Sequence, residues 1–323
     1  MAFSHSFVVP SYNHGQFIGE TIESLLNQEL PGSEIVVCDD HSSDNSREVI
    51  ERYRDRIRIV HPPHRMGMMP NYNFATAQAT GEWVSLLGSD DRAQPCFARL
   101  VRDGAARTPN TVVVTGDYDQ IDGEGRKIRA EKVLSVRPIT KPPQTFYTQL
   151  AAPKVPPVAN AFHRPSWEKV GGFPERATLI GDWGLWLRLA PLGNFVHIAQ
   201  PLAEYRVSYR PNIAYERRIE ALRDDVYIVL TLIPEIAKQI PNADTKYIEM
   251  ARRVRLRSLI SGYSKMLKPD DRAFAVEILG EWAKKTGLDG MLQRFARGET
   301  IAAGWRDSTL RRILRDIYKA VRR

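Results

Sequence analysis

The sequence predicts an α/β domain, a mostly parallel sheet flanked by helices, followed by a C-terminal α-helical extension. Three observations carry this. Through the first two hundred residues, short β-type runs alternate with amphipathic helical runs. The β-runs, Ile35-Val36-Val37-Cys38 among them, are apolar without alternation, as strands are when helices cover both faces of their sheet. The formal charge of +8 lies wholly after residue 210: residues 1–210 hold 23 basic and 23 acidic side chains, residues 211–323 hold 23 and 15. The chain is accordingly divided into an α/β unit, 1–210, and a basic helical region, 211–323.

In order, Ser6 to Pro10 reads as a strand and Gln16 to Gln28 as a helix. Glu34 to Asp39 is a strand followed by a helix over Asn45 to Asp55, with Asp44, Asn45 and Ser46 as its cap and first turn. Ile57 to His61 precedes a helix at Asn71 to Ala79, and Trp83 to Leu87 precedes one at Cys96 to Arg107. Residues 111–163 are less regular, with strands near Val112 to Asp117 and Val158 to His163 and a proline-rich link between them. Helices at Trp167 to Val170 and Gly181 to Leu192 flank the turn Gly171-Gly172-Phe173-Pro174-Glu175, and strands follow near Phe195 to Ile198 and Ala203 to Val207. From about Asn212 the pattern is helical.

An apolar share of 43% and a charged share of 26% over 323 residues exclude wholesale disorder and fibrous repeats. Two cysteines, Cys38 and Cys96, exclude a disulfide framework and a multi-cysteine metal site and suit a reducing compartment. The seven histidines lack the two-His helical spacing of a zinc hydrolase. The first residues lack the basic head and apolar run of a signal peptide. The longest apolar run, Val226 to Ile233, falls far short of the roughly 18–20 residues that cross a bilayer. A cytoplasmic chain is expected, soluble or peripheral on the cytoplasmic face of the membrane.

Ligands of parallel α/β sheets gather beyond the carboxyl ends of the strands. Those ends read Pro10-Ser11-Tyr12-Asn13, then Asp39-Asp40-His41-Ser42-Ser43-Asp44, then Gly88-Ser89-Asp90-Asp91, so polar and acidic groups are expected on one edge. Asp90-Asp91 after an apolar strand suits a hard cation, since Mg²⁺ and Mn²⁺ take oxygen ligands and borrow others from phosphates. The same pair also reads as a cap for the helix that begins near Pro95.

Six motifs in order resemble the family 2 glycosyltransferases, nucleotide-sugar-dependent enzymes of the inverting, Rossmann-like GT-A fold. They are Val9-Pro10-Ser11-Tyr12-Asn13; Val36 to Asp44; Gly67 with Asn73; Gly81-Glu82-Trp83-Val84 leading into Ser89-Asp90-Asp91; Val170-Gly171-Gly172-Phe173; and Gly181 to Arg188. The likeness runs from about Phe7 to Arg206.

The resemblance implies a donor site in which Pro10 lies at the first strand end, Asp39 accepts the imide N–H of uracil or thymine, and Tyr12 offers a flat face to the ring. It implies ribose contact by Asp90, cation binding (Mn²⁺ or Mg²⁺) by Asp91, and donor phosphate or nucleotide contacts from Arg206 and Arg65. Asp182 matches the catalytic base. Two positions depart from the family pattern: Gly88 stands where many relatives carry a further Asp, and Gly181 where the family has an acid. Trp183 and Trp186, three apart, share a helix face that serves either as an acceptor platform or as core. The Gln-x-x-Arg-Trp motif of processive members is absent after Arg206, which implies one addition per encounter.

The expected substrates are a UDP- or dTDP-sugar and a saccharide or lipid-linked acceptor in cell-surface polysaccharide assembly. At the C-terminus, Leu310, Ile313, Leu314, Ile317, Tyr318 and Val321 form one apolar stripe, and residues 305–323 carry a net charge of +5. Such a helix fits an anionic membrane surface, a homodimer contact, or docking on its own domain. Nucleic acid is not expected, because no reading element accompanies the basic tail. Two rivals remain: a catalytically silent nucleotide-binding scaffold of the same fold, and a sugar nucleotidyltransferase, which should want a basic, glycine-rich loop that Pro10 to Gly15 does not provide.

Overall fold

The computed structural model describes residues 3–133, 137–207, 217–264, 269–299 and 301. The first strand, β1 (His5–Ser11), is buried along its whole length. It lies between β2 (Glu34–Asp39) and β4 (Trp83–Leu86), with β3 (Arg58–Val60) outside β2, and all of these neighbours pair in parallel. Beyond β4 come β9 (Asn160–His163), β6 (Thr111–Ile121), β10 (Asn194–Arg206) and β5 (Arg92–Ala93). β6 and β10 are parallel to each other, while β9 runs antiparallel to both β4 and β6. Two further antiparallel strands, β7 (Lys127–Glu131) on β6 and β8 (Ile139–Thr140) on β10, complete a ten-stranded mixed sheet.

Alternate residues of β1 serve two cores. Phe7 and Val9 face α1 (Ile18–Leu26), α2 (Ser46–Glu51) and α4 (Phe97–Ala105). Ile18, Ile22 and Leu25 supply the buried stripe of α1 at the spacing of one helical face. Val8 faces the other way, toward α3 (Met68–Ala77), α5 (Gln144–Gln149), α6 (Arg164–Lys169) and α7 (Gly181–Leu189). Each aliphatic or aromatic side chain taken from water in these layers stabilises the fold by about 1.5–3 kcal/mol.

Pro10 is buried in the centre of the sheet, where a missing N–H normally breaks a ladder. It is tolerated because β4 pairs with β1 only as far as Val8, so at Pro10 the strands have already parted. That parting opens the strand-end crevice in which the acidic residues collect.

After β10 come α8 (Arg218–Tyr227), a π-helical turn (Ile228–Leu232), α9 (Ile233–Ala237), α10 (Thr245–Tyr263), α11 (Pro269–Thr286) and α12 (Asp289–Ala296). These helices share the second core: Leu222, Ile228 and Leu232 belong to the same buried cluster as Trp183, Leu185 and Trp186. Within α10, Arg255 turns to Asp225 of α8, donating its Nε–H to Oδ1 at 2.8 Å. The amphipathic segment 305–323 lies outside the described residues.

Candidate active site

Ser11 and Asp39, the last residues of β1 and β2, are register partners in parallel strands. Asp39 is completely buried, and its Oδ2 accepts the Arg47 Nε–H at 2.7 Å and the Ser42 N–H at 3.2 Å. Asp39 Oδ1 and Ser11 Oγ are buried with no hydrogen-bond partner among the described residues. An orphaned buried acceptor costs about 1–3 kcal/mol, which a donor bound at Asp39 Oδ1 would recover. Ser11 was not singled out among the expected contacts; its place two residues before Asn13, in the same strand-end motif as Tyr12, was the available signal.

Tyr12 follows Ser11, half-buried, and the Arg65 guanidinium carbon lies 4.2 Å from its ring centroid. The loop carrying Arg65 is pinned by Asp40, whose two carboxylate oxygens accept the Met66 and Gly67 N–H groups at 2.7 and 2.8 Å. His41, in the left-handed region at φ 59°, pairs Nε2 with the Pro62 carbonyl at 2.9 Å. Tyr12, Asp39 and Arg65 are thus tied to one strand-end cluster, while Pro10 sits inside β1 and shapes the crevice through its backbone.

The acidic turn after β4 is joined to this cluster by His14, whose Nδ1 shares a hydrogen bond with Ser89 Oγ at 2.7 Å and lies 3.8 Å from Asp90 Oδ1. Asp91 is only 2% exposed, and its Oδ1 accepts the Arg206 backbone N–H at 2.8 Å. Burial, and next the Asp90 charge, push its carboxyl well above the usual range. A Cβ on Gly88 would stand 2.9 Å from Asp90 Oδ1 and closer still to Asp91 Oδ2. The glycine therefore leaves a cradle into which both carboxylates converge. No group of three or more His, Cys, Asp or Glu side chains forms a cation cage among the described residues. The pair fits a divalent cation that takes its remaining ligands from phosphate oxygens, as Mg²⁺ commonly does. The helix-capping alternative is not realised: the residue at the start of α4 is Cys96, without a side-chain cap.

Asp182 is in the first turn of α7, half-buried, with Oδ1 accepting the Trp183 N–H at 2.8 Å. Burial pushes its carboxyl up to about 6. Two phenols register its proximity to the acidic turn. The Tyr72 hydroxyl is raised by burial and then by Asp182, Asp90 and Asp91; the Tyr205 hydroxyl is raised by burial and then by Asp91 and Asp90, with Tyr118 and Asp182 adding to it. The three carboxylates therefore share one neighbourhood. The Gly181 departure has a steric cause, since a Cβ there would stand 2.7 Å from Met69 Cγ and nearer still to its Sδ.

Two expectations are corrected. Trp183 and Trp186, 0% and 1% exposed, are core residues; the Trp183 Nε1–H donates to the Gln149 carbonyl at 2.7 Å, so neither ring offers a platform to an acceptor. The Arg206 side chain is 0% exposed and fully engaged by protein. Its Nε donates to Asp90 O at 2.7 Å, Nη1 to Asp122 O and Gly123 O at 3.2 and 2.9 Å, and Nη2 to Glu20 at 2.7 Å. With its guanidinium 4.6 Å from the Phe17 ring centroid as well, Arg206 supports the acidic turn rather than reaching for phosphate.

The family model for glycosyl transferase family 2 matches residues 6–171, a little over half of the chain. Among curated proteins, a segment covering 36% of the chain is 30% identical to glycosyltransferase GlyG of Streptococcus pneumoniae, over 41% of that protein. A segment covering 60% of the chain is 26% identical to a chondroitin synthase of Pasteurella multocida, over 19% of that protein. The chain thus spans less than half the length of either relative. The crystal structure of S. aureus TarS 1–349 in complex with UDP-GlcNAc superposes with a TM-score of 0.66 at 17% identity, covering 99% of this chain and 92% of that one. The fold is the GT-A fold expected from the motifs.

Proposed function

We propose a donor, a reaction and a setting for this chain, which belongs to glycosyl transferase family 2: transfer of one sugar per encounter, with inversion, from a UDP- or dTDP-sugar to a saccharide or lipid-linked acceptor. The observation that carries the reading is that the Tyr72 and Tyr205 hydroxyls, raised first by burial, are each raised further by the charges of Asp90, Asp91 and Asp182. It sets a pair suited to a diphosphate-bound cation beside a lone carboxylate of raised proton affinity.

In this reading the orphaned Asp39 Oδ1 accepts the imide N–H of the base, a donor that cytosine lacks, and Tyr12 and Arg65 flank the ring. Asp90 takes the ribose hydroxyls and Asp91 holds Mn²⁺ or Mg²⁺, which when bound offsets the charge of the departing diphosphate. Asp182 removes the proton from the acceptor hydroxyl as its oxygen bonds to the anomeric carbon, and the bond from that carbon to the diphosphate oxygen breaks on the opposite face. The likeness to a chondroitin synthase supports polysaccharide assembly as the setting. Residues 1–210 carry this chemistry. The basic excess of 211–323 suits attachment to an anionic, cytoplasmic membrane face, and no helix among the described residues is long and apolar enough to cross a membrane.

The test is incubation with UDP- and dTDP-sugars and Mn²⁺, with nucleoside diphosphate release as readout. Turnover that is lost in Asp182→Asn while donor binding survives supports the reading. Donor binding without turnover in the native chain would favour a silent scaffold, and release of pyrophosphate from a nucleoside triphosphate and a sugar 1-phosphate, in a parallel incubation, would favour a nucleotidyltransferase.

A further inference from the structure

Helix α7 begins without a side-chain cap of its own, because the residue at its N-cap is Ile180. The amides at a helix entrance need acceptors, and Ser, Thr, Asp or Asn at the cap usually supplies one. The chain leading into α7, rather than its first turn, is held by an acceptor from the helical extension. Asp224 of α8, 3% exposed, receives the Leu179 N–H on Oδ2 at 2.6 Å and the Ile180 N–H on the same oxygen at 3.4 Å. Its neighbour Asp225 accepts the Arg255 Nε–H at 2.8 Å, and the Arg255 guanidinium carbon lies 5.1 Å from the Trp183 ring centroid. Two consecutive carboxylates of one helix therefore hold the chain on both sides of Asp182, one through the turn before it and one through the ring after it.

We infer that Asp224 is a positioning residue for Asp182, fixing the entry of α7 from the helical extension so that the carboxylate faces the acidic turn. The inference rests on the role proposed for Asp182 and deepens it, because it makes residues after 210 part of the working site. Misplacement by about 1 Å costs on the order of 100-fold in rate. A carboxylate that only stabilised the fold would not confine its effect to one segment or to kcat.

The test compares the full chain with Asp224→Ala and Asp224→Asn; the asparagine retains an oxygen for the Leu179 N–H. Amide hydrogen exchange is expected to accelerate across residues 177–183 in the alanine variant and to stay native elsewhere and in the asparagine variant. Hydrolysis of the UDP-sugar that the native chain turns over is expected to lose kcat by on the order of 100-fold in the alanine variant, with donor KM unchanged, and to recover in the asparagine variant. Native protection of 177–183 in Asp224→Ala, or kcat and KM moving together with a general loss of protection, would overturn the inference. Should the alanine variant fail to fold, Asp224→Glu, which displaces the carboxyl by one methylene, is expected to lose kcat while Asp224→Asn does not; equal kcat in both would also overturn it. A native chain that turns over no nucleotide sugar counts against the transferase reading alone, and the exchange measurement then decides the role of Asp224.

Discussion

Arg206 and Asp91, 115 residues apart in the chain, meet through a 2.8 Å hydrogen bond from the arginine backbone N–H to the aspartate Oδ1. The contact links the last residue of β10 to the acidic turn after β4, and the Arg206 guanidinium completes the link by binding the Asp90 carbonyl. A strand from the second half of the sheet thus sets the position of the carboxylates that follow the first half.

Arg206→Ala should therefore act on stability. It leaves the carbonyls of Asp90, Asp122 and Gly123 without their donor, a loss of about 3–5 kcal/mol and a Tm lower by on the order of 10 °C. Thermal unfolding monitored by circular dichroism checks this. An unchanged Tm accompanied by weaker donor binding would instead return Arg206 to the phosphates.

Asp39→Asn should weaken binding of UDP about 10- to 100-fold, the magnitude of one hydrogen bond to a charged acceptor. The substitution removes the charge while keeping the shape. Its effect on Tm should be small, because the partner Arg47 is 46% exposed and solvent screens the pair. Isothermal titration with UDP reads the effect, and an affinity equal to that of the native chain would exclude Asp39 as the base contact.

Gly88→Ala should disturb the cation without unfolding the protein. The added Cβ would occupy the cradle between Asp90 Oδ1 and Asp91 Oδ2, forcing the carboxylates apart. Half-saturation by Mn²⁺ should move to higher concentration in a donor-binding assay, while the Tm stays within a few degrees. A superimposable Mn²⁺ titration would show that the two oxygens do not act on the cation together.

How much of this was legible beforehand depends on the range of the interactions involved. The four parallel strands and the acidic strand ends were readable because apolar runs and the residues after them are local features. Asp39, Asp91 and Asp182 could be picked out on motif and chemistry. The two tryptophans could not be resolved, since a shared helix face suits a core as well as a platform, and only the packing of Leu232 and its neighbours from residues after 210 decides it. Arg206 was misread for a similar reason: its partners, Glu20, Asp90, Asp122 and Gly123, come from three separate chain segments. The grip of Asp224 on the entry of α7 lies wholly in tertiary structure, and no spacing announces it.

The raised carboxyl of Asp182 makes two predictions of opposite benefit. As a base it must be ionised, so with cation saturating, which holds Asp91 ionised, turnover should rise with pH through an apparent pKa of about 6. For stability the sign is reversed. The folded chain holds this proton more tightly than the unfolded chain, whose carboxyl titrates at the ordinary 3.8, so stability falls as pH rises from about 4 to about 6 and then levels off. Asp182→Asn keeps an oxygen for the Trp183 N–H and removes the buried charge, so at pH 7.5 it should melt above the native chain, with the difference closing as pH approaches 4. Paired melting curves at the two pH values, alongside the pH–rate profile, check both limbs. A variant that melts below the native chain at pH 7.5 would mean that the ionised carboxylate is held by favourable contacts, which would remove the physical basis for its basicity.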